Sequence, residues 1–264
     1  MNAGTADSSA DSRIAFRVAI PARFDSQRLP GKPLREIAGK PLLQHVYEQA
    51  LRSGAQAVII ATDDPRIEGR ALEWGATVCM TSRDCASGSE RLAEAARALD
   101  WPDSTIVVNV QGDEPLLPPA NIRQVALNLA AHPDVSIASL CTPIQGLDEF
   151  EDPNVVKVVR DATDLALYFS RAPIPWSRER GARAEHSRHC YRHVGLYAYR
   201  VGYLKTYAHM PSSAHEAIEH LEQLRALWRG DRIHVALAAE PPGPGVDTPA
   251  ELAAVEAIIA GRVS

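Results

Sequence analysis

The chain has 264 residues, of which 45% are hydrophobic, with 28 basic against 33 acidic side chains and a formal net charge of −5. That length supports one large core or a core with a smaller lobe, and the charge excludes the global basic field of non-specific nucleic-acid binding, so a polyanion has to be held locally. Four cysteines without a C-x-x-C pair or histidines at finger spacing argue against a metal cluster or disulfide framework, and no apolar run reaches the ~18–20 residues of a membrane span.

Residues 1–15 begin MNAGTADSSADS, small and polar with neither the basic nor the apolar region of a signal peptide, and are expected to form a disordered tail. Reduced thiols in a cytoplasm are the expected setting. From residue 16 to about 141, short β-branched runs alternate with helical stretches: FRVAI, PLLQHVYEQALRSG, AVIIA, DPRIEGRALEWG, ATVCM, SGSERLAEAARALD, TIVVNVQ and PPANIRQVALNLAAH. That grammar predicts right-handed βαβ crossovers and a mostly parallel sheet covered by helices on both faces, an α/β class. In PLLQHVYEQALRSG, Leu42, Val46, Gln49 and Ala50 recur at helical spacing, Gly54 is the stop signal, and Glu48 and Arg52 form an i,i+4 pair on a solvated face. After VSIASL the pattern changes. NVVKVVRD, DLALYFSR and HCYRHVGLYAYR read as strands with few helices between them, at least two forming a hairpin, in a smaller antiparallel lobe inserted at about 142–212. The chain then returns to helix through AHEAIEHLEQLRALWRG, adds the strand IHVALAA, and closes on a helix opened by DTPAEL, with Thr248 as N-cap and Pro249 at the first helical position. Residues 16–264 are thus expected to make a single α/β domain.

Ligands of an open parallel sheet bind beyond the carboxyl ends of its strands, which puts residues 21–33 first. PARFDSQRLPGKP is neither a dinucleotide fingerprint nor a Walker loop. Yet Pro21, Pro30 and Pro33 stiffen a loop that holds Arg23, Arg28 and Lys32, with Gly31 for close backbone approach, and three cations suit a phosphate chain. Solvated surface charge is the competing explanation, but a merely solvated loop has no need to be stiff. In VVNVQGDEPLL an apolar strand ends on Gln111, Gly112, Asp113 and Glu114, and an acid at a strand end beside a glycine suits Mg²⁺ shared with a nucleotide phosphate. An acidic cap for the following helix is the alternative, and it fits Glu114 better than Asp113. GPGVDTPAEL sets Asp247 after a glycine turn, where helix capping explains it almost as well. Cations on one loop and two separated acids at strand ends together fit nucleotidyl transfer, which is mostly positioning and electrostatics, with magnesium bridging acids and phosphates.

IPARFDSQRLPGKPL, CMTSRDCASGSERLAE, VNVQGDEPLL, ALYFSRAPIPW, YRHVGLYAYR, LEQLR and GVDTPAEL together resemble the 3-deoxy-D-manno-octulosonate cytidylyltransferase family of Gram-negative bacteria, over residues 16 to about 258. The resemblance implies a nucleotide-diphospho-sugar transferase type of fold, binding of CTP and 3-deoxy-D-manno-octulosonate (Kdo), and formation of CMP-Kdo and pyrophosphate for lipopolysaccharide synthesis. It gives Arg23, Arg28 and Lys32 the CTP triphosphate, with Ser26 as a loop contact, and places Ser87, Gly88 and Arg91 against the cytosine and ribose. Ser87 and Ser89 could equally cap the next helix. Asp113 and Asp247 match the family's magnesium aspartates, and Gln111 a residue between nucleotide and sugar. For the sugar acid the resemblance carries over Arg171, His193, Tyr197, Glu222 and Gln223. A carboxylate with many hydroxyls needs a guanidinium and several neutral or acidic partners, so the residue types fit. Spacing sets His193 and Tyr197 on one strand face, where both could instead be core residues, and turns Glu222, four after Ile218 and one after Leu221, toward its helix's apolar stripe. The resemblance also implies a homodimer formed through the lobe, and no separate protein base. His193 is read as a binding residue. Gln27 stands where the family more often has threonine or serine, and PSSAHEAIEH departs from the usual proline-leucine-glutamate lead into its helix.

The competing readings are a cytidylyltransferase for another acidic sugar, such as a sialic acid or an 8-amino Kdo analogue, and a nucleotide-binding regulator without turnover. Retention of both Asp113 and Asp247 argues against the regulator. A nucleic-acid or membrane partner is not expected.

Overall fold

Why the chain builds a site at one end follows from strand direction. A computed structural model describes residues 14–26, 28–179 and 182–261. The expected tail falls mostly on residues 1–13, and these, like Gln27, lie outside the described residues. The first half runs β1 (Phe16–Ala22), a two-residue pair β2 (Glu36–Ile37) and β3 (Lys40–Pro41), α1 (Leu42–Arg52), β4 (Ala57–Thr62), α2 (Pro65–Glu73), β5 (Thr77–Met80), α3 (Gly88–Ala98), β6 (Ile106–Asn109), α4 (Pro119–Ala131) and β7 (Ile137–Pro143). Then come α5 (Leu147–Glu151), β8 (Lys157–Arg160), β9 (Ala166–Ser170), α6 (Arg183–His186), β10 (Tyr191–Arg200), α7 (Val201–Tyr207), α8 (Ala214–Glu219), α9 (Leu224–Trp228), β11 (Ile233–Leu237) and α10 (Pro249–Ile259).

The main sheet has the order β11-β7-β10-β6-β1-β4-β5. Strand β1 is parallel to β4 and β6, β4 to β5, and β11 to β7, while β10 runs antiparallel to both β6 and β7. A mostly parallel sheet with one reversed strand brings the carboxyl ends of β1, β6 and β7 and the amino-terminal half of β10 to the same edge. The hairpin β8–β9 hangs on that half of β10 through Tyr191↔Val158 and Arg192↔Lys157, so the antiparallel strands extend the main sheet.

The strands are apolar on both sides because both faces are covered. One core layer packs Leu42, Val46, Ala50, Ile67, Ile122 and Val125 of α1, α2 and α4 on Val18, Ile20, Ile60 and Val108. The other packs Leu92 and Ala96 of α3, Leu204 of α7 and Leu224 of α9 on Ala19, Val107 and Tyr199.

Two local expectations are corrected. Glu48 pairs with Lys40 at 2.8 Å and accepts from Gln44 at 3.1 Å, because the β2–β3 turn brings Lys40 to the start of α1, so the expected Glu48–Arg52 pair is replaced. The single helix expected over residues 214–230 is broken. His220 adopts a left-handed conformation (φ 51°) that ends α8, and α9 starts afresh at Leu224. Glu222 therefore sits in the intervening turn, and Ile218, which was to mark the apolar stripe, is 78% exposed.

Candidate active site

The loop leaving β1 is braced from within. Gly31 is left-handed (φ 67°), and a Cβ there would stand 3.1 Å from the Phe24 ring. Arg66 lies 3.4 Å over that ring, and Pro33 is buried in the short 3₁₀ turn Lys32–Leu34. Ser26 Oγ accepts from Leu29 N at 3.4 Å, and Arg23 donates to the Cys85 carbonyl, joining the loop to the chain ahead of α3.

Lys32 Nζ stands between Asp113 Oδ2 at 2.7 Å and Asp247 Oδ1 at 2.9 Å, and Arg28 meets Asp247 Oδ2 at 2.9 Å. These acids are far apart in sequence. They meet because the GPG turn before Asp247 packs on the loop after Asp113: Val246 N donates to Asp113 O at 2.9 Å, and a Cβ on Gly243 would come within 2.6 Å of Leu116 Cβ. Burial lowers the Lys32 pKa, but the two carboxylates outweigh it and hold the ammonium above its ordinary value. Burial raises Asp247, and Lys32 with Arg28 still hold it below the ordinary carboxylate range. Glu114, read as a helix-cap candidate, is no cap, since α4 begins only at Pro119. Burial and the Asp113 carboxylate push it up to about 7.

These side chains open onto a cleft of about 510 Å³. Its lining includes Arg23, Ser26, Arg28, Lys32, Ser87, Gly88, Gln111, Asp113 and Asp247, so nine of the expected residues converge on one cavity. Ser87 fulfils both of its readings: its side chain caps α3 by accepting from Glu90 N at 3.2 Å, and its hydroxyl also donates to Glu222 Oε1 at 3.1 Å. Arg91 does not face the cleft. It is fully buried, with its guanidinium on Thr81 Oγ1 at 2.5 Å and Asp63 Oδ2 at 3.1 Å, where it ties α3 to the ends of β4 and β5.

The residues expected on the sugar side form a second cluster that joins the cleft through the Ser87–Glu222 bond. Burial outweighs the serine hydrogen bonds and raises the Glu222 pKa. Gln223 is buried, and its Nε2 has no hydrogen-bond partner among the described residues. His193 and Tyr197 share a strand face with ring centroids 5.4 Å apart, and His193 Nε2 lies 2.8 Å from Ser139 Oγ. Burial, then Arg192, pulls His193 down to about 3, and burial beside Glu222 raises Tyr197. Arg171 stands apart at the end of α8, its Nε donating to Glu219 O at 2.8 Å and its Nη1 to Pro153 O at 3.0 Å.

Sequence reasoning passed over Asn109 and Ser139. Asn109 pairs directly with Tyr197, and its buried Oδ1 lacks a partner among the described residues. Its signal was available, a polar residue two before Gln111 in an apolar strand. Ser139 had none, because a serine in VSIASL reads as ordinary alternation.

Among the described residues no group of three or more histidine, cysteine or acidic side chains is arranged for a metal. Asp113 and Asp247 nevertheless already converge on one cation, Lys32. Two hard carboxylates beside a cationic cleft fit magnesium, which typically takes one or two carboxylates and completes its shell with phosphate and water.

The chain is also similar to known proteins. The cytidylyltransferase family matches over residues 18–233. The 3-deoxy-manno-octulosonate cytidylyltransferase of Nitrosococcus oceani is 55% identical over 251 residues, 93% of this chain and 97% of that protein. Its namesake in Vibrio parahaemolyticus is 54% identical over 251 residues, 94% of this chain and 100% of the other. The solved structure of CMP:2-keto-3-deoxy-manno-octonic acid synthetase complexed with CTP superposes with a TM-score of 0.85 at 42% identity, covering 95% of this chain and 100% of that one. A cytidylyltransferase from Leptospira borgpetersenii, 16% identical with a TM-score of 0.62 over 96% of this chain and 89% of that one, shares the fold.

Proposed function

Because the chain belongs to the 3-deoxy-manno-octulosonate cytidylyltransferase family and transfers CMP from CTP to Kdo with release of pyrophosphate, we propose how its residues divide that work. The observation that carries the division is Lys32 held between Asp113 and Asp247 at the mouth of the cleft.

Arg23, Arg28 and Lys32 bind the triphosphate, aided by the amino terminus of α3 at Ser87 and Gly88, where free amides favour anions. As the bond to the α-phosphorus breaks, charge gathers on the pyrophosphate, and a preorganised cationic loop stabilises that charge without having to reorient. Asp113 and Asp247 would hold magnesium. When bound, it supplies positive charge to the phosphate oxygens. Ser26 braces the loop, and Gln111 lies where nucleotide and sugar meet. Arg91 acts from beneath, fixing α3.

Kdo lies against His193, Tyr197, Glu222 and Gln223, which hold its hydroxyls and orient the anomeric oxygen toward the α-phosphorus. Arg171 is the guanidinium for the sugar carboxylate, and reaching it requires release of the Glu219 and Pro153 carbonyls. The protein acts in the cytoplasm, and no helix among the described residues is long and apolar enough to cross a membrane. Two copies pair through the segment of about 142–212. Supporting this, Trp176 is 67% exposed beside a pocket of about 210 Å³ lined by Phe150, Pro175 and Cys190.

Pyrophosphate release is the test, with CTP, UTP and ATP crossed against Kdo, N-acetylneuraminate and no sugar in Mg²⁺. Release is expected only with CTP plus Kdo, and Asp113→Ala is expected to lower it by a factor of at least ~10². Turnover with N-acetylneuraminate would overturn the sugar contacts, and full activity in Asp113→Ala would overturn the metal site.

A further inference from the structure

We infer that Ser139 is a positioning residue for the sugar site: it holds His193 in the tautomer with the proton on Nε2, so that the Nδ1 lone pair is offered to a hydroxyl of the sugar acid. The inference rests on the reading above that His193 meets the sugar.

The argument begins with a flaw in the sheet. Between β10 and β7 the register slips: Val194 faces Leu140, yet Tyr197 faces Ser139, so Gly195 and Leu196 bulge out of the ladder. The fully buried Ser139 hydroxyl fills the irregularity. Its Oγ lies 2.8 Å from Leu196 O, 3.2 Å from Val194 O and 2.8 Å from His193 Nε2.

A hydroxyl has one proton to give, and carbonyls can only accept. The Ser139 proton therefore goes to the bulge carbonyls, and its oxygen is left to accept from the imidazole, so Nε2 must carry hydrogen. The reverse arrangement would turn the hydroxyl lone pairs onto two buried carbonyl oxygens. A neutral ring protonated at Nε2 has a bare Nδ1. His193 is kept neutral by burial, and its position is fixed by Val156 O, which accepts from its main-chain N at 2.8 Å, and by the Phe169 ring at 4.8 Å. Among the described residues Nδ1 has no partner of its own.

The consequence is selectivity. An acceptor aimed at a hydroxyl position penalises an analogue lacking that hydroxyl, because the bound sugar then covers the nitrogen and leaves it unpaired.

The tautomer can be read in the free enzyme by long-range ¹H–¹⁵N correlation on histidine-labelled protein, with the His193 signal assigned by its absence in His193→Gln. Wild type is expected to show protonated Nε2 and bare Nδ1. Ser139→Ala should lose that single pattern, and Ser139→Thr, which keeps the hydroxyl, should retain it. In turnover, Ser139→Ala should raise KM for Kdo about tenfold while KM for CTP stays within about twofold, with Ser139→Thr near wild type. Protonated Nδ1 in wild type, or an unchanged ring pattern in Ser139→Ala, would overturn the inference, and so would an equal rise in both KM values. His193→Gln with an unchanged KM for Kdo would instead overturn the sugar contact, whatever the tautomer.

Discussion

At the scale of single residues, burial decides chemistry that residue type leaves open. His193 is 8% exposed, and its folded pKa of about 3 lies below the ordinary 6.5 of histidine. Below pH 6.5 the unfolded chain takes up a proton that the folded one refuses, so stability present above 6.5 is lost as pH falls toward 3. His193→Gln removes that linkage. The urea midpoint of the wild type should therefore fall more between neutral pH and pH 5 than that of His193→Gln, and parallel curves would show that His193 is not buried neutral. Arg91 teaches the same lesson from the other side. Its place in GSERL pointed to the nucleotide, but its inward bonds to Thr81 and Asp63 make it a strut.

At the scale of elements, the site depends on how chain ends meet. The turn at residues 243–245 and the loop after β6 touch so closely that Gly243 has no room for a side chain, and this contact sets the spacing of Asp113 and Asp247. Gly243→Ala should cost about 1–3 kcal/mol by overpacking against Leu116. Activity at a temperature well below unfolding should also drop, since the added methyl pushes the two carboxylates apart. A stable variant with wild-type turnover would mean that the spacing is set elsewhere. The broken helix is a second case. Helical periodicity continues through AHEAIEHLEQLRALW, yet the capping box of Ser213 and Glu216 and the left-handed His220 confine α8 to six residues. Glu216 is also clamped by Arg225 at 2.6 and 2.9 Å, which folds α9 back onto α8 and aims the turn bearing Glu222 at Ser87. Local pattern could not reveal this, because the clamp is a tertiary contact.

For the whole molecule, the cleft is preformed and lies between the loop after β1, the start of α3 and the two acidic loops, so a ligand there ties four segments together. CTP with Mg²⁺ at a hundred times its Kd should stabilise the fold by about 2.7 kcal/mol, seen as a rise in Tm that EDTA reduces. The same rise with UTP or ATP would mean that the base is not read. The alternation of β-branched and helical runs by itself determined the parallel sheet, because strand and helix periods are local properties of the chain. Residue type and strand-end position likewise marked Arg23, Lys32, Asp113 and Asp247. Tertiary structure alone decided that Lys32 would bridge both acids, that Arg91 would turn inward, that Glu222 would sit in a turn, and that Ser139 would govern His193. Each of these depends on a contact between segments distant in sequence, and the energy that settles it, burial against pairing, exists only once those segments have come together.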